Sequence, residues 1–437
     1  MKRSILFLVL SSLFSSLAAQ YAVRGGSGQP LSAAKNGITE VYLLNGLSGA
    51  QISFTSSTAG AHQWYKFSQS IDDAKPVSCT QTGNTSVISG IDIQDGYGYY
   101  VASPLGAGYI WIVDYSRYVP TISGLQVMED EYRCEQLRLI ANAANINPIY
   151  YYTNGMRNTL ERKFLLTYNT LAWNDEQKIF MPVDTTLVFN ENQVASEILI
   201  DAPPLADTNF ALVDSFSSWF GIAQPVHSDD YKAVAVKAYG FAETTKENAD
   251  NEVHHAGDVL GGSAPIVYTF TAYANEPVAA SYIWTILQQD SITKNMTQIV
   301  RYTDKLLQYP FEHNGLYHVE LDVSDRESVC IDTTQFFDIV IDNTVVKIPN
   351  AFSPGSSIGV NDELRISFTS VITFKASVYN RWGNLLFQWN DPAKGWDGRV
   401  NGKFVPTGVY YVIVEYKDST GKNRSMSRAV NVLRAKD

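Results

Sequence analysis

Three cysteines in 437 residues, Cys79, Cys134 and Cys330, exclude a disulfide-dense scaffold. They are odd in number and far apart, so each is expected to be a buried apolar filler rather than a reactive thiol. A single disulfide stays open. None follows closely on the apolar start of the chain, which argues against a lipid-modified N-terminal cysteine. Histidine is scarce too, with six residues: His62, His227, His254, His255, His313 and His318. They form no His-Glu-x-x-His, and the chain has no Gly-x-Ser-x-Gly, no Cys-His signature and no phosphate-cradling glycine loop. His254-His255 with Glu252 and Asp258 is the closest approach to a metal set, and it sits in a polar stretch that reads more simply as linker. The expectation is therefore no enzyme, no cofactor and no metal site. Long apolar runs are also missing after the first twenty residues, so nothing else is expected to span a bilayer.

The first twenty residues have a positive start (Lys2, Arg3), a short apolar stretch from Ile5 to Leu10 with Leu13 and Leu17, and small residues at Ala18-Ala19. That is the pattern of a cleaved secretory signal peptide, with the cut near Gln20. A membrane anchor would need about 20 unbroken apolar residues, and serines at 11, 12, 15 and 16 interrupt this one. Beyond it, 26 Tyr and 20 Phe give the chain ample material for cores, and they favour strands.

Period-two alternation dominates. In Tyr317-His318-Val319-Glu320-Leu321-Asp322-Val323 apolar and polar residues alternate, and Ile372, Phe374, Ala376 and Val378 repeat the pattern. Asn314-Gly315, Asn401-Gly402 and Thr420-Gly421 supply turns between such runs. Helix is expected only around Cys134 to Ala144 and Ser217 to Phe220. The fold class is all-β, and about 150 residues per domain gives three or four domains. We place a signal peptide at 1–20, a flexible Gly/Ser/Ala leader at 21–39, an immunoglobulin-like domain at 40–120, a second β-sandwich-like domain at 121–244, a mobile linker at 245–263, a third sandwich at 264–345 and a last module at 346–437. In the first sandwich Trp64 occupies the place of a buried third-strand Trp. Asp95-Gly96-Tyr97-Gly98-Tyr99-Tyr100-Val101 reads as a tyrosine corner. The third resembles the PKD-type relative of the immunoglobulin fold, on Tyr282-Ile283-Trp284 and the Tyr309-to-Val319 segment. The Gly-Asp-Gly turn usual after that Trp is replaced by Leu287-Gln288-Gln289-Asp290.

Charge divides the chain. The net charge is −11, yet residues 346–437 carry 13 Lys and Arg against 7 Asp and Glu, which is +6 and leaves −17 on the remainder. An acidic body argues against nucleic-acid binding, and a basic tail argues for a partner of its own.

That tail is the most specific part of the sequence. It runs through Pro349, Asn350, Phe352 and Pro354, then Asn361-Asp362, Asn380-Arg381-Trp382-Gly383, Trp396-Asp397-Gly398, Gly402, Pro406, Gly408 and Tyr410. In order and spacing these residues resemble the gliding-motility-associated C-terminal domain, the type B sorting domain of the Bacteroidetes type IX secretion system. The resemblance covers about a fifth of the chain and implies export to the cell surface or medium via the periplasm. It implies recognition by the type IX machinery and a PorP/SprF-like outer-membrane protein. From the residues themselves, Trp382 and Trp396 are expected in the core, with glycines in turns. The family's Asn-Gly-Asp-Gly segment is replaced by Gly355-Ser356-Ser357-Ile358-Gly359, so no strong Ca²⁺ site is expected there.

The body then reads as an adhesion or surface-interaction module whose ligands are surface glycans or other proteins. The alternative is a hydrolase or carbohydrate-binding site in 121–244, with Tyr150, Tyr151 and Tyr152 as a stacking platform. Asp184-Thr185-Thr186, Asp290-Ser291-Ile292, Asp332-Thr333-Thr334 and Asp418-Ser419-Thr420 resemble Bacteroidetes O-glycosylation acceptors.

Overall fold

The computed structural model describes residues 20–36, 39–102, 108–129, 131–153, 155–253, 259–356 and 359–433; the signal-peptide reading of 1–20 and the His254-His255 pair fall almost wholly outside them. Among the described residues the chain is built of strands with a few short helices, and no helix is long and apolar enough to cross a membrane. Cys134 and Cys330 are disulfide-bonded rather than free fillers, and Cys79 is a free thiol. The chain divides into two compact units. The first holds the residues up to Thr170 with Val183–Pro203 and Asp207–Lys232, and the second holds Leu171–Pro182, Pro204–Ala206 and Ala233–Asp437.

The first unit opens with a two-sheet sandwich. One sheet orders Gln20–Arg24, Gln51–Thr55, Thr85–Ser89 and Thr80–Thr82; the other contains Leu31–Asn36, Thr39–Leu44, Tyr109–Asp114, Tyr97–Ala102, Gln63–Phe67 and Lys75–Val77. Trp64 is fully buried between them, and its Nε1 donates to Ser86 Oγ at 2.8 Å. Tyr99 makes the expected corner: its hydroxyl donates to Asp92 O at 3.0 Å and accepts from the Gln94 N–H at 2.7 Å. The leader expected at 21–39 is instead structure, since Gln20–Arg24 and Leu31–Asn36 are ladder strands paired with Gln51–Thr55 and Thr39–Leu44. Gly25 and Gly26 belong to the Gly/Ser/Ala composition that reads as a mobile leader. Both have positive φ, and a Cβ on Gly25 would fall 2.5 Å from Ala50 Cα, so they mark a tight crossing rather than slack chain.

Tyr109–Asp114 is buried along almost its whole length. Ile110 and Ile112 fill this sandwich, while Tyr109, Trp111 and Val113 face a second core that includes Ile149, Tyr151, Leu160 and Phe216 of the next domain. An unbroken apolar run is what a strand buried on both faces requires. That next domain comprises a three-stranded sheet (Thr121–Met128, Leu137–Ala144, Ile198–Ile200), a four-stranded sheet (Ile179–Asn190, Lys163–Asn174, Ala211–Asp214, Val226–His227) and the hairpin Ile149–Thr153/Met156–Leu160. The expected helix from Cys134 to Ala144 is a strand over Leu137–Ala144, because Leu137 and Leu139 are buried with exposed or half-buried neighbours at period two. The second expected helix is present as Ser215–Phe220.

One polar cluster lies inside this double core. Arg162 is 1% exposed; its Nε donates to Asp214 Oδ1 at 3.0 Å and its Nη2 donates to Tyr118 O at 2.6 Å. The Tyr115 hydroxyl donates to the other Asp214 oxygen, which also accepts the Ser217 N–H at 2.8 Å and so caps the helix. Burial first, and then the Asp214 charge, push the Tyr115 hydroxyl above its ordinary value.

In the second unit a sandwich of three strands (Ala238–Glu243, Ile266–Ala274, Leu306–Phe311) and five (Leu260–Gly262, Ile331–Ile341, Gly315–Asp325, Ala279–Gln289, Met296–Tyr302) encloses Trp284, Phe270, Phe311 and Val319. Its first strand, Ala238–Glu243, pairs with Ile266–Ala274. The boundary expected at 244 thus falls before residue 238. The linker expected at 245–263 is a fastened strap in its described part. Asn251 Nδ2 donates to Ile366 O at 2.9 Å and Pro392 O at 2.7 Å, and Val253 N–H donates to Phe368 O at 2.8 Å. Lys246 Nζ lies 2.8 Å from Glu252 Oε1, and Ser370 N–H donates to Ser263 Oγ at 2.7 Å. Leu260–Gly262 then joins the five-stranded sheet in parallel with Ile331–Ile341. Gly261 is required there, since a Cβ would meet Val340 O at 1.9 Å.

The C-terminal module is a five-stranded sheet ordered Ala351–Phe352, Asn423–Val432, Gly408–Asp418, Val371–Tyr379, Leu385–Trp389, faced by three short pairs: Val345–Lys347 with Ser367–Thr369, Leu364–Arg365 with Gly395–Trp396, and Arg399–Val400 with Lys403–Phe404. Ala376, Val378, Val412, Val414, Leu364, Ile366 and Trp396 meet in its centre.

Candidate functional site

The motif residues of the C-terminal module separate into three groups. Phe352, Pro354, Trp396 and Gly398 form a core corner. The Phe352 ring stands 5.6 Å from that of Trp396, and Trp396 is fully buried with its Nε1 donating to Arg399 O at 2.9 Å. Gly398 is pressed against Pro354, where a Cβ would come within 2.8 Å of the ring. Asp397 Oδ1 accepts the Arg399 N–H at 3.0 Å and closes its own turn. Gly402, with Asn401, makes the two-residue turn between Arg399–Val400 and Lys403–Phe404, both residues having positive φ.

The second group lies along the edge and the loop after it. Asn350 O accepts the Asn431 N–H at 2.9 Å, next to half-buried Pro349. Asn361 O accepts the Ser353 N–H, and Asp362 Oδ2 accepts the Gly359 N–H at 2.9 Å. Asp362 thus ties down its own loop.

The third group converges on open surface. Asn380 Oδ1 accepts the N–H groups of both Trp382 and Asn384 at 3.0 Å, and Gly383, at φ 84°, donates its N–H to Asn380 O at 3.0 Å. This Asx-type turn joins Val371–Tyr379 to Leu385–Trp389 and thrusts residue 382 outward. Trp382 is 71% exposed, which corrects the expectation that it fills the core. A residue at the tip of a two-strand turn has no opposing layer to enter. The Arg381 guanidinium lies 4.3 Å from the Trp382 ring centroid, a cation–π contact at an exposed site. Across from them, Tyr410 donates its hydroxyl to Pro406 O at 2.9 Å and holds the Pro406–Gly408 loop. Burial pushes the Tyr410 hydroxyl above its ordinary value. Between these two loops lies a groove of about 480 Å³, with Leu386, Val400 and Val405 on its floor. Six motif residues, Asn380, Arg381, Trp382, Pro406, Gly408 and Tyr410, therefore line one half-open apolar cleft.

Among the described residues the other candidate chemistries do not gather into sites. His62 hydrogen-bonds Ser86 Oγ at 2.7 Å and Ser56 Oγ at 3.0 Å, with no carboxylate behind it, and Ser86 is buried beneath the Trp64 indole. His318 sits between Asp338 and Glu320, and His313 bonds Ser419 O. Among the described residues no group of three His, Cys, Asp or Glu side chains is placed to hold a metal. The three tyrosines do not form a platform: Tyr151 is buried, Tyr152 packs half-buried with its ring 5.8 Å from that of Trp111 in the same core, and Tyr150 is exposed with the Arg157 guanidinium 4.6 Å from its ring centroid. Of the hydroxyls in the glycosylation-like triplets, Ser419 is 1% exposed with its N–H and Oγ both on Thr344 Oγ1, whereas Ser291 and Thr333 are exposed.

Comparison with known proteins bears on both ends of the chain. The fibronectin type III domain model matches residues 126–228, and the CHU_C type IX secretion signal domain model matches residues 346–430. No curated protein sequence matches. Solved structures with some likeness include Escherichia coli alpha-2-macroglobulin activated by porcine elastase (9% identity, 95% of this chain and 44% of that one, TM-score 0.18). Others are the BSP domain of a biofilm-associated protein (10% identity, 96% of each chain, TM-score 0.16) and the fibronectin(III)-like modules of Clostridium thermocellum CbhA (10% identity, 44% and 95%, TM-score 0.17). The chain spans under half of the macroglobulin chains, and at these scores the likenesses carry no argument about function. The first matched segment takes in the second β-domain described above, and the second the module that bears the cleft: the chain carries a fibronectin type III domain at 126–228 and a type IX secretion signal domain at 346–430.

Proposed function

We propose that this is a non-enzymatic adhesion or surface-interaction protein whose Trp382 cleft is the feature the export apparatus reads. The secretion signal domain implies a multi-domain β-protein exported by the type IX system to the cell surface or beyond. Its partners on that route are the type IX machinery and, from the family resemblance, a PorP/SprF-like outer-membrane protein reached from the periplasm. The carrying observation is the contrast among the module's tryptophans. Trp389 and Trp396 are 8% and 0% exposed, whereas Trp382 is 71% exposed on a turn that Asn380 and Gly383 build at its base. An exposed Trp beside an Arg, over an apolar cleft, has the composition of a binding hot spot. The immunoglobulin-like, fibronectin and PKD-like sandwiches would supply the ligand surfaces of the mature protein at their loops.

The experiment is a pair of substitutions in the full-length chain followed by cell fractionation. Trp382→Ala is expected to leave stability within about 0.5 kcal/mol, as surface changes do, while export falls sharply. Trp396→Ala is expected to cost about 3–5 kcal/mol and to stop export through misfolding. Normal export of a folded Trp382→Ala protein would sink the cleft as the recognition feature.

A further inference from the structure

The same module has an open sheet edge on a strand the cleft does not use. Asn423–Val432 pairs with Gly408–Asp418 along its full length, without a bulge, but among the described residues only Asn431 and Val432 are paired on its other side, with Ala351 and Phe352. Asn423 to Ala429 are all exposed. The amides of Asn431 and Leu433 donate toward Asn350 O and Phe352 O. By the two-residue period of a strand, those of Ser425, Ser427 and Ala429 point the same way, into open space. The side chains on these three residues are small, and among the described residues they leave the backbone unshielded.

The alternate row is different. Arg424, Met426 and Arg428 stand opposite Tyr416, Val414 and Val412, on the core-facing side of the sheet. Arg424 Nε lies 2.8 Å from Asp418 Oδ2, and Arg428 Nη1 donates to Ile348 O at 2.7 Å. The hairpin's two acids are engaged, Glu415 with Lys375 and Asp418 with Arg424. Edges are commonly blunted by proline, bulges or charge. This one has no proline and no bulge, only charge of a single sign. An antiparallel pair of two such edges would bring arginine rows together, and like charges facing across strands repel. The edge therefore rejects a second copy and favours a strand of opposite charge.

We propose that Ser425–Ala429 is the acceptor edge for an extended, acidic segment of a partner protein, which adds to the sheet as a sixth strand. Main-chain bonds to the free amides would hold it, and carboxylates at alternate positions would meet Arg424 and Arg428. The inference rests on sheet geometry and charge, and stands apart from the reading of the cleft.

The test uses the full chain and blocked synthetic peptides of alternating threonine with glutamate or with lysine. Hydrogen exchange is followed by mass spectrometry. The glutamate peptide is expected to slow exchange several-fold in 423–430 and nowhere in the Trp382 turn, an effect weakened by salt. The lysine peptide is expected to do nothing. Ser427→Pro removes one outward amide without touching the ladder to Gly408–Asp418, so it should abolish protection while the thermal midpoint stays put. Should that variant misfold, Arg424→Glu with Arg428→Glu is expected to switch the preference to the lysine peptide. Absence of protection by the glutamate peptide, equal protection by both, or protection that survives in folded Ser427→Pro would overturn the proposal.

Discussion

Two pairs of sandwiches are joined in this chain by different chemistry. In the first unit the immunoglobulin-like and fibronectin domains share an aromatic core with one buried ion pair in it, Arg162–Asp214, surrounded by Tyr115, Tyr118 O and Ser217. In the second unit the third sandwich and the secretion signal domain are tied by a web of mostly neutral groups: Asn251 amide to two carbonyls, Ser263 and Ser370 exchanging hydrogen bonds with backbone, and Thr344 on Ser370 O and Ser419. A buried ion pair is all-or-nothing, because losing one partner strands the other charge. A web of neutral bonds is divisible, and each loss is small.

That contrast can be broken at its strongest point. Arg162→Ala leaves Asp214 buried without its cation and is expected to cost the first unit about 3–5 kcal/mol in denaturant unfolding, read by hydrogen exchange at Tyr109–Asp114. The second unit is expected to be unchanged. Asn251→Leu orphans the carbonyls of Ile366 and Pro392 and should cost about 1–3 kcal/mol, appearing first as faster exchange in 366–369. Ser370→Ala removes one bond of the web, and a loss of about 0.5–1.5 kcal/mol is expected by the same assay.

Acid sharpens the difference with a sign. Burial opposes ionisation of Glu252, yet the Lys246 ammonium, the Ser263 hydroxyl and the Ala249 N–H outweigh it and hold its carboxyl below the ordinary value. Its stabilising contribution is therefore complete above the ordinary carboxylate range, about pH 4.3, and is lost as pH falls through the lower folded value. In the first unit Asp95 is shifted the other way, raised chiefly by burial, so protonation there favours the folded form. Exchange in 246–253 should accelerate below pH 4, while the turn around Asp95 should not loosen over the same range.

What the sequence made legible follows from range. Trp64 and Tyr99 depend on period and on local turn chemistry, and the structure has them where the pattern put them. Trp396 was readable for the same reason, sitting in a short strand against Phe352. Trp382 was misread by residue type alone, although Asn380 and Gly383 on either side of it are turn formers and carried the signal. The strap was beyond reach, because the meaning of Asn251 lies in carbonyls 115 and 141 residues away. Arg162 is a similar case: a charged residue reads as surface until its partner 52 residues on is brought into the same core. The leader strands were hidden by small residues whose order comes from the neighbours they pair with.

Three of the sandwiches share a pairing with a mechanical consequence. Thr39–Leu44 runs parallel to Tyr109–Asp114, Leu260–Gly262 to Ile331–Ile341, and Ala351–Phe352 to Asn423–Val432. In each, an early strand lies beside the last strand with the same direction. Tension applied at the two ends of such a domain slides the strands past each other and loads every bond of the ladder at once, instead of peeling them one by one. The registers span six, three and two residue pairs respectively. Under stretching in a single-molecule force experiment, the immunoglobulin-like domain should be the last of the three to rupture and the secretion signal domain the first.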